Sequence, residues 1–93
     1  MPAISESDAH ARLSEIPGWE VGEKSLVRKL ALPSFPDAVA FVVKVAFAAE
    51  AADHHPDLLI NYRRVTLTLW THTENGITEK DFALAKEINK LIK

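Results

Sequence analysis

The sequence predicts an α+β fold: a single four-stranded antiparallel sheet with three helices packed on one face, in the order α-β-β-α-β-β-α. Apolar residues recur at helical spacing in three segments, and they alternate with polar residues in two pairs of short segments. Hairpins separated by helices are typical of α+β domains. With 93 residues and no linker or internal repeat, residues 1–93 are predicted to form one domain.

The N-terminal third predicts one helix and one hairpin. Ser5 or Ser7 can cap the first helix, which is expected to end at Pro17. Two strands should follow, joined by a turn at residues 22–25, with the second strand over residues 26–32.

The longest helix is predicted to begin after Ser34 and to end near His54, because the residue before Pro56 is steered away from the α region. Its buried stripe is predicted to comprise Ala38, Phe41, Val42, Val45, Ala46 and Ala49.

The C-terminal third predicts a second hairpin and a last helix. The strands are expected over residues 58–62 and 64–71, the second with clear alternation. The run from Thr78 to Asp81 resembles a capping box, and the helix after it carries an apolar face of Leu84, Ala85, Ile88, Leu91 and Ile92.

Composition excludes several classes of function. A formal net charge of -2 gives no electrostatic footprint for nucleic acid or an anionic membrane. The chain has no cysteine, which removes disulfides, thiolate nucleophiles and thiolate metal sites. The sequence shows no secretory signal and no apolar run of the ~20 residues that span a bilayer. A cytoplasmic protein is expected.

Histidines carry the strongest chemical signal. Three of the four lie between residues 54 and 72, and His54 and His55 are adjacent, just before Pro56. Imidazole has an unperturbed pKa of about 6.5, so it both gives and takes protons near neutral pH. Histidines near carboxylates therefore indicate acid–base chemistry or a metal site.

Glu50 and His54 are four residues apart and would be neighbours on one helical face. The carboxylate could hold the imidazole in one tautomer and favour its protonated form. The alternative is that His54 and His55 only cap carbonyl groups at the helix end.

The remaining candidates have structural alternatives too. His72, at the end of the last strand, is either a catalytic group or a solvated turn residue. Tyr62 is expected to pack at a strand end, and Asp81 to accept the amide proton of Thr78 in the capping box. His10 lies apart from the cluster and is expected at the surface.

A metal site is the weaker interpretation. Adjacent histidines on a continuous helix diverge by about 100°, so His54 and His55 converge only if the helix breaks. A catalytic zinc site needs three well-placed ligands, and the helical i, i+4 histidine pair is missing.

The spacing of these residues resembles the signature of the pterin-4a-carbinolamine dehydratases. In that family an acidic or polar residue, three spacers, His-His-Pro, an aromatic residue, a later His and then an Asp recur in this order. This sequence fills those positions with Glu50, His54-His55-Pro56, Tyr62, His72 and Asp81. The similarity runs from about residue 19 to residue 92, and it implies the same α+β architecture.

The resemblance implies a hydro-lyase that dehydrates 4a-hydroxytetrahydrobiopterin to quinonoid dihydrobiopterin and so recycles the pterin cofactor of aromatic amino acid hydroxylases. His54 and His72 would be the acid–base pair, Glu50 would orient His54, and His55 would assist. Neither a metal nor a cofactor is required. The pterin would be lined by Asp53, His54, His55, Pro56, Trp70, Thr71, His72 and Thr73.

Two positions depart from the family pattern. Leu58 stands where many members have tryptophan, and Trp70 stands where a small hydroxyl residue is common. Trp70 is expected either to stack on the pterin or to pack at a subunit interface.

The resemblance also implies an alternative function and possible partners. Some relatives are non-catalytic binding modules, either dimerisation cofactors of a transcription factor or assembly chaperones, although chaperone-type relatives tend to lack the full histidine set. A homodimer or homotetramer is implied, with the face of Thr66, Thr68 and Trp70 as a contact surface.

Overall fold

The computed structural model describes residues 2–92; Met1 and Lys93, the ends of the predicted domain, lie outside the described residues. The elements are α1 (Glu6–Ala11), β1 (Trp19–Gly22), β2 (Ser25–Ala31), α2 (Phe35–Ala52), β3 (Asp57–Asn61), β4 (Arg64–Leu69) and α3 (Glu79–Leu91). Short 3-10 turns at Leu13–Glu15 and His72–Glu74 precede β1 and α3. The predicted fold class and element order are confirmed. Within residues 2–92, none of the helices combines the length and hydropathy that a membrane crossing requires.

The sheet is antiparallel throughout, with strand order β1-β2-β4-β3, so β1 and β3 are its edges. Val65, Leu67 and Leu69 of β4 are fully buried, whereas Thr66 and Thr68 between them are only half-buried. This alternation is typical of a sheet with one covered face. The covered face belongs to the core of Ala9, Ile16, Trp19, Leu26, Ala38, Phe41, Val45, Ala49, Val65, Leu67, Leu69, Ile77, Phe82, Leu84, Ala85 and Ile88.

Helix α2 begins as predicted, because the Ser34 hydroxyl accepts a hydrogen bond from the amide of Asp37. Its buried face is narrower than predicted. Val42 is only half-buried and Ala46 is exposed, which leaves a stripe spaced by three and four residues: Ala38, Phe41, Val45 and Ala49. The prediction for Ala46 was wrong because the sheet covers only one side of the helix.

Helix α1 is shorter than predicted. Ser5, not Ser7, caps its start, and it ends at Ala11 rather than reaching Pro17. Arg12 leaves the helical region, with φ -99° and ψ 2°, and the chain tightens into the 3-10 turn at Leu13–Glu15. Ile16 lies beyond the end of this helix and is nevertheless buried in the core.

Arg12 ties the N-terminal segment to the start of α3. Its guanidinium donates to both carboxylate oxygens of Glu79 and to Glu15, and lies 4.3 Å from the centroid of the Phe82 ring. Hydrogen bonding from Arg12 holds the pKa of Glu79 and of Glu15 below its usual range. Since both carboxylates are exposed, these pairs orient the segment more than they stabilise it.

Candidate active site

The end of α2 redirects the chain at the histidine pair. Asp53 adopts a left-handed conformation, with φ 50°, and follows the last helical residue, Ala52. The amide of His54 donates to the carbonyl of Ala49, and that of Asp53 donates to the carbonyl of Glu50, each at 3.1 Å. These two bonds form a Schellman motif, in which glycine is usual but aspartate is tolerated. His54 therefore leaves the helical path.

Because of this turn, Glu50 does not contact His54. The Glu50 carboxylate instead lies 2.8 Å from Nε2 of His55, and both side chains are exposed. The prediction that Glu50 orients His54 is therefore wrong. It rested on helical spacing, and the helix stops before the spacing is complete.

Asp81 is the partner of His54. Its Oδ1 atom lies 2.5 Å from Nε2 of His54, a residue that is only 8% exposed. Its Oδ2 atom accepts from the hydroxyl of Thr71 at 2.9 Å and from the amide of Thr78 at 2.8 Å. The predicted capping box is confirmed, and the same carboxylate also holds a histidine 27 residues earlier in the chain.

This arrangement selects the tautomer of His54. A carboxylate only accepts hydrogen bonds. Nε2 of His54 therefore carries a proton and donates a hydrogen bond to Asp81. The neutral imidazole then has a bare Nδ1. Within residues 2–92 no hydrogen bond reaches this Nδ1, and His54 lines the cleft described below. An imidazole backed by a carboxylate is suited to accept a proton.

The opposite wall comes from the segment after β4. Thr71 pairs with Gly76 through hydrogen bonds in both directions, of 2.8 and 3.3 Å, and this bridge closes the loop that begins at His72. Asn75 completes the loop in a left-handed conformation, with φ 51°. The His72 ring packs on the indole of Trp70, with ring centroids 4.0 Å apart and planes tilted by 36°.

The two walls enclose a cleft of about 230 Å³. Its lining residues are Asp53, His54, His55, Trp70, Thr71, His72, Thr73 and Lys80. Every predicted lining residue except Pro56 is therefore brought together. Lys80 was missed, although its position carried a signal: a cation in the first turn of a helix is unfavourable for the helix dipole.

Other predicted residues lie elsewhere. Tyr62 is 69% exposed in the turn between β3 and β4, with φ 54°, so the expectation that it packs at a strand end is wrong. Leu58 lies on edge strand β3 and does not line the cleft. Within residues 2–92, no three His, Asp or Glu side chains are grouped to hold a metal ion.

In chemical terms the cleft contains three imidazoles, one of them backed by a buried carboxylate, together with an ammonium and a carboxylate from Lys80 and Asp53. Imidazoles on two walls can serve one bound molecule as proton donor and proton acceptor at the same time. The arrangement is suited to proton transfer to and from a small polar molecule.

Comparison with known proteins agrees with this chemistry. The family model described as pterin 4 alpha carbinolamine dehydratase matches residues 2–91. A protein of Chloroflexus aurantiacus, provisionally named pterin-4-alpha-carbinolamine dehydratase, is 49% identical over 92 residues, which cover 99% of each chain.

Two solved structures share the fold. A transcriptional coactivator/pterin dehydratase from Brucella melitensis is 34% identical, with a TM-score of 0.89, and the match covers 98% of this chain and 99% of the other. A pterin dehydratase-like protein identified as a RuBisCO assembly factor in the α-carboxysome is 24% identical, with a TM-score of 0.67 over 83% of this chain and 92% of the other, and supports the fold alone. On the family model and the full-length relative, the chain belongs to the pterin 4 alpha carbinolamine dehydratase family.

Proposed function

We propose that this protein dehydrates 4a-hydroxytetrahydrobiopterin to quinonoid dihydrobiopterin and water, and so recycles the pterin cofactor of aromatic amino acid hydroxylases. The observation that carries the proposal is the Asp81–His54 pair, which leaves Nδ1 as the proton acceptor of an imidazole that lines the same cleft as His72. Family membership supplies the class of substrate.

The reaction needs proton transfer at two places on the pterin. The 4a-hydroxyl departs as water once it receives a proton, and a ring nitrogen that pushes electrons towards C4a must lose its own proton. In this proposal Nδ1 of His54 takes the ring proton, and Asp81 stabilises the imidazolium that forms. His72 donates to the hydroxyl. His54 gains one proton and His72 loses one, so the net charge of the enzyme does not change. When His54 releases its proton to solvent and His72 takes one up, the enzyme returns to its starting state.

The other cleft residues bind the substrate. His55, oriented by Glu50, and Lys80 offer hydrogen-bond donors, while Asp53 and Thr73 offer acceptors for the amino and ring N–H groups of a pterin. Acid–base assistance of this type typically contributes about 10²–10⁴-fold. No step in this scheme uses a metal or a cofactor.

The function is tested by following the decay of freshly generated 4a-hydroxytetrahydrobiopterin by stopped-flow absorbance, with and without purified protein. We expect the protein to accelerate the decay, and to do so equally after treatment with a chelator. Activity that is lost on chelation and restored by zinc would overturn the acid–base mechanism. A well-folded protein that leaves the decay rate unchanged would instead favour the alternative of a non-catalytic binding module.

We also propose that the chain forms a homo-oligomer, and that α2 supplies the contact. Large apolar side chains recur every four residues along the face of α2 that points away from the core: Phe35, Val39, Val43 and Phe47, which we call the outer stripe. Phe47 is 75% exposed. Such a stripe is self-complementary when two helices pack together. The face predicted as a contact surface, that of Thr66, Thr68 and Trp70, consists of half-buried side chains, whereas the outer stripe is exposed, so we place the contact on α2.

A charge in the outer stripe should dissociate the oligomer. We expect Phe47→Asp to shift the mass measured by light scattering from a multiple of the chain mass to that of one chain, because an unpaired carboxylate would be buried at the contact. Lys44→Asp is the matched control, since it introduces the same side chain at another exposed position of α2. Equal masses for Phe47→Asp and the unmodified protein would exclude the outer stripe as the interface.

A further inference from the structure

The three histidines of the cleft differ in what orients them. His54 is held by the buried carboxylate of Asp81, and His55 by the exposed carboxylate of Glu50. Within residues 2–92, no side chain forms a hydrogen bond with the imidazole of His72. Its one close ring contact in that range is the indole of Trp70, with centroids 4.0 Å apart.

The contact depends on where β4 ends. Residues two apart on a regular strand point to the same side but stand roughly 7 Å apart. Here the strand ends at Leu69 and a 3-10 turn begins at His72, which brings the imidazole onto the indole. The loop closure between Thr71 and Gly76 fixes the turn.

Trp70 also lines a second groove, together with Lys24 and Ser25 of the β1–β2 hairpin and Thr68 of β4. The residue is half-buried and borders both the cleft and this groove. A half-buried side chain has fewer orientations open to it than an exposed one, so the indole presents a defined aromatic face to the neighbouring imidazole.

We propose that Trp70 is a positioning residue for His72: the indole holds the imidazole at the angle from which it reaches the substrate. This inference rests on the proposed dehydratase function. An aromatic face suits both protonation states, since a neutral imidazole packs on it as a ring and an imidazolium is attracted to its π electrons. The stack can therefore keep its geometry while His72 releases and regains a proton.

The kinetic test compares Trp70→Phe with Trp70→Leu. Phenylalanine keeps an aromatic face, whereas leucine keeps apolar bulk without one. We expect Trp70→Leu to lower kcat about tenfold with KM little changed, because a misplaced catalytic group lowers the rate of the chemical step. Trp70→Phe should recover most of the loss. A rise in KM at unchanged kcat would show that the indole binds the pterin instead, and would overturn the proposal. An equal loss of kcat in Trp70→Leu and Trp70→Phe would also overturn it, because the aromatic face would then make no difference.

A spectroscopic test needs no substrate. Indole fluorescence is quenched by a contacting imidazolium, so the emission of the unmodified protein should fall as His72 gains a proton. The step should disappear in His72→Gln and in Trp70→Phe. Trp19 does not interfere, since it is buried with its indole N–H bonded to Asn89. The other titratable groups around the indole are unchanged in every variant, so they contribute equally to each titration: His54, His55, Asp53 and Lys80 of the cleft, and Glu23 and Lys24 of the hairpin. Identical titrations of the unmodified protein and His72→Gln would refute the stack.

The two proposals fail in different ways. An unmodified protein that does not accelerate dehydration overturns the function, and with it the positioning role. An active unmodified protein whose Trp70→Leu variant keeps full kcat overturns the positioning role alone.

Discussion

Asp81→Asn should abolish most of the activity while leaving the fold in place. The amide oxygen of asparagine can take over the bonds from Thr71 and Thr78, and the amide NH₂ group then faces Nε2 of His54. An NH₂ group donates, so Nε2 must be unprotonated to accept from it, and the neutral imidazole then carries its proton on Nδ1. Nδ1 would no longer accept a proton from the substrate. An Asp-to-Asn change that enforces the wrong tautomer costs about 10⁴ in kcat in a serine protease, and here we expect at least about 10².

The tautomer can be observed directly. In protein with ¹⁵N-labelled histidine, the His54 resonances should report Nε2–H in the unmodified protein and Nδ1–H in Asp81→Asn. Asp57→Asn is the matched control, because it removes the same charge from an exposed residue that does not line the cleft. Full activity in Asp81→Asn together with a changed tautomer would show that His54 is not the base.

Asp81→Ala should behave differently. It leaves the Thr78 amide and Nε2 of His54 without their acceptor in a buried site, whereas the Thr71 hydroxyl can still donate to the hydroxyl of Thr78. Unpaired buried groups cost about 1–3 kcal/mol each. We therefore expect a large loss of unfolding free energy in the alanine variant and a small one in the asparagine variant, measured by urea denaturation.

His54→Gln and His72→Gln should each lower kcat by about 10²-fold or more. Glutamine keeps a donor that can reach Asp81 in the first variant, and it avoids the cavity that alanine would leave at a residue that is almost fully buried. His55→Ala should mainly raise KM, since His55 is exposed and supplies binding contacts. His10→Gln lies on α1 outside the cleft and is the control. Near-normal kcat in a well-folded His54 or His72 variant would remove that residue from the mechanism.

Local patterns were sufficient for most of the fold. Alternation along β4 grouped Val65, Leu67 and Leu69 on one face, which is the buried one, and the serine before Phe35 and the threonine before Glu79 marked two helix starts. These features depend on residues close to one another in the chain, so they can be predicted from the sequence alone. The residues predicted to line the site lie around one cleft, apart from Pro56, and the spacing of the histidines, which resembles a known signature, pointed to them.

The contacts within the site were harder to predict. Pairing Glu50 with His54 assumed that helical spacing continued to residue 54, but the left-handed Asp53 breaks it. The bond between His54 and Asp81 joins the end of one helix to the start of another, and no local pattern encodes such a contact. The stack of Trp70 on His72 arises because a strand gives way to a 3-10 turn between them.

The rate of carbinolamine dehydration by the His54→Gln/His72→Gln double variant tests the central claim most directly. If these two imidazoles carry the proton transfers, the double variant should be far slower than the unmodified protein and close to the rate in buffer, while its circular dichroism and unfolding free energy remain near normal. A folded double variant that dehydrates the substrate as fast as the unmodified protein would contradict the account.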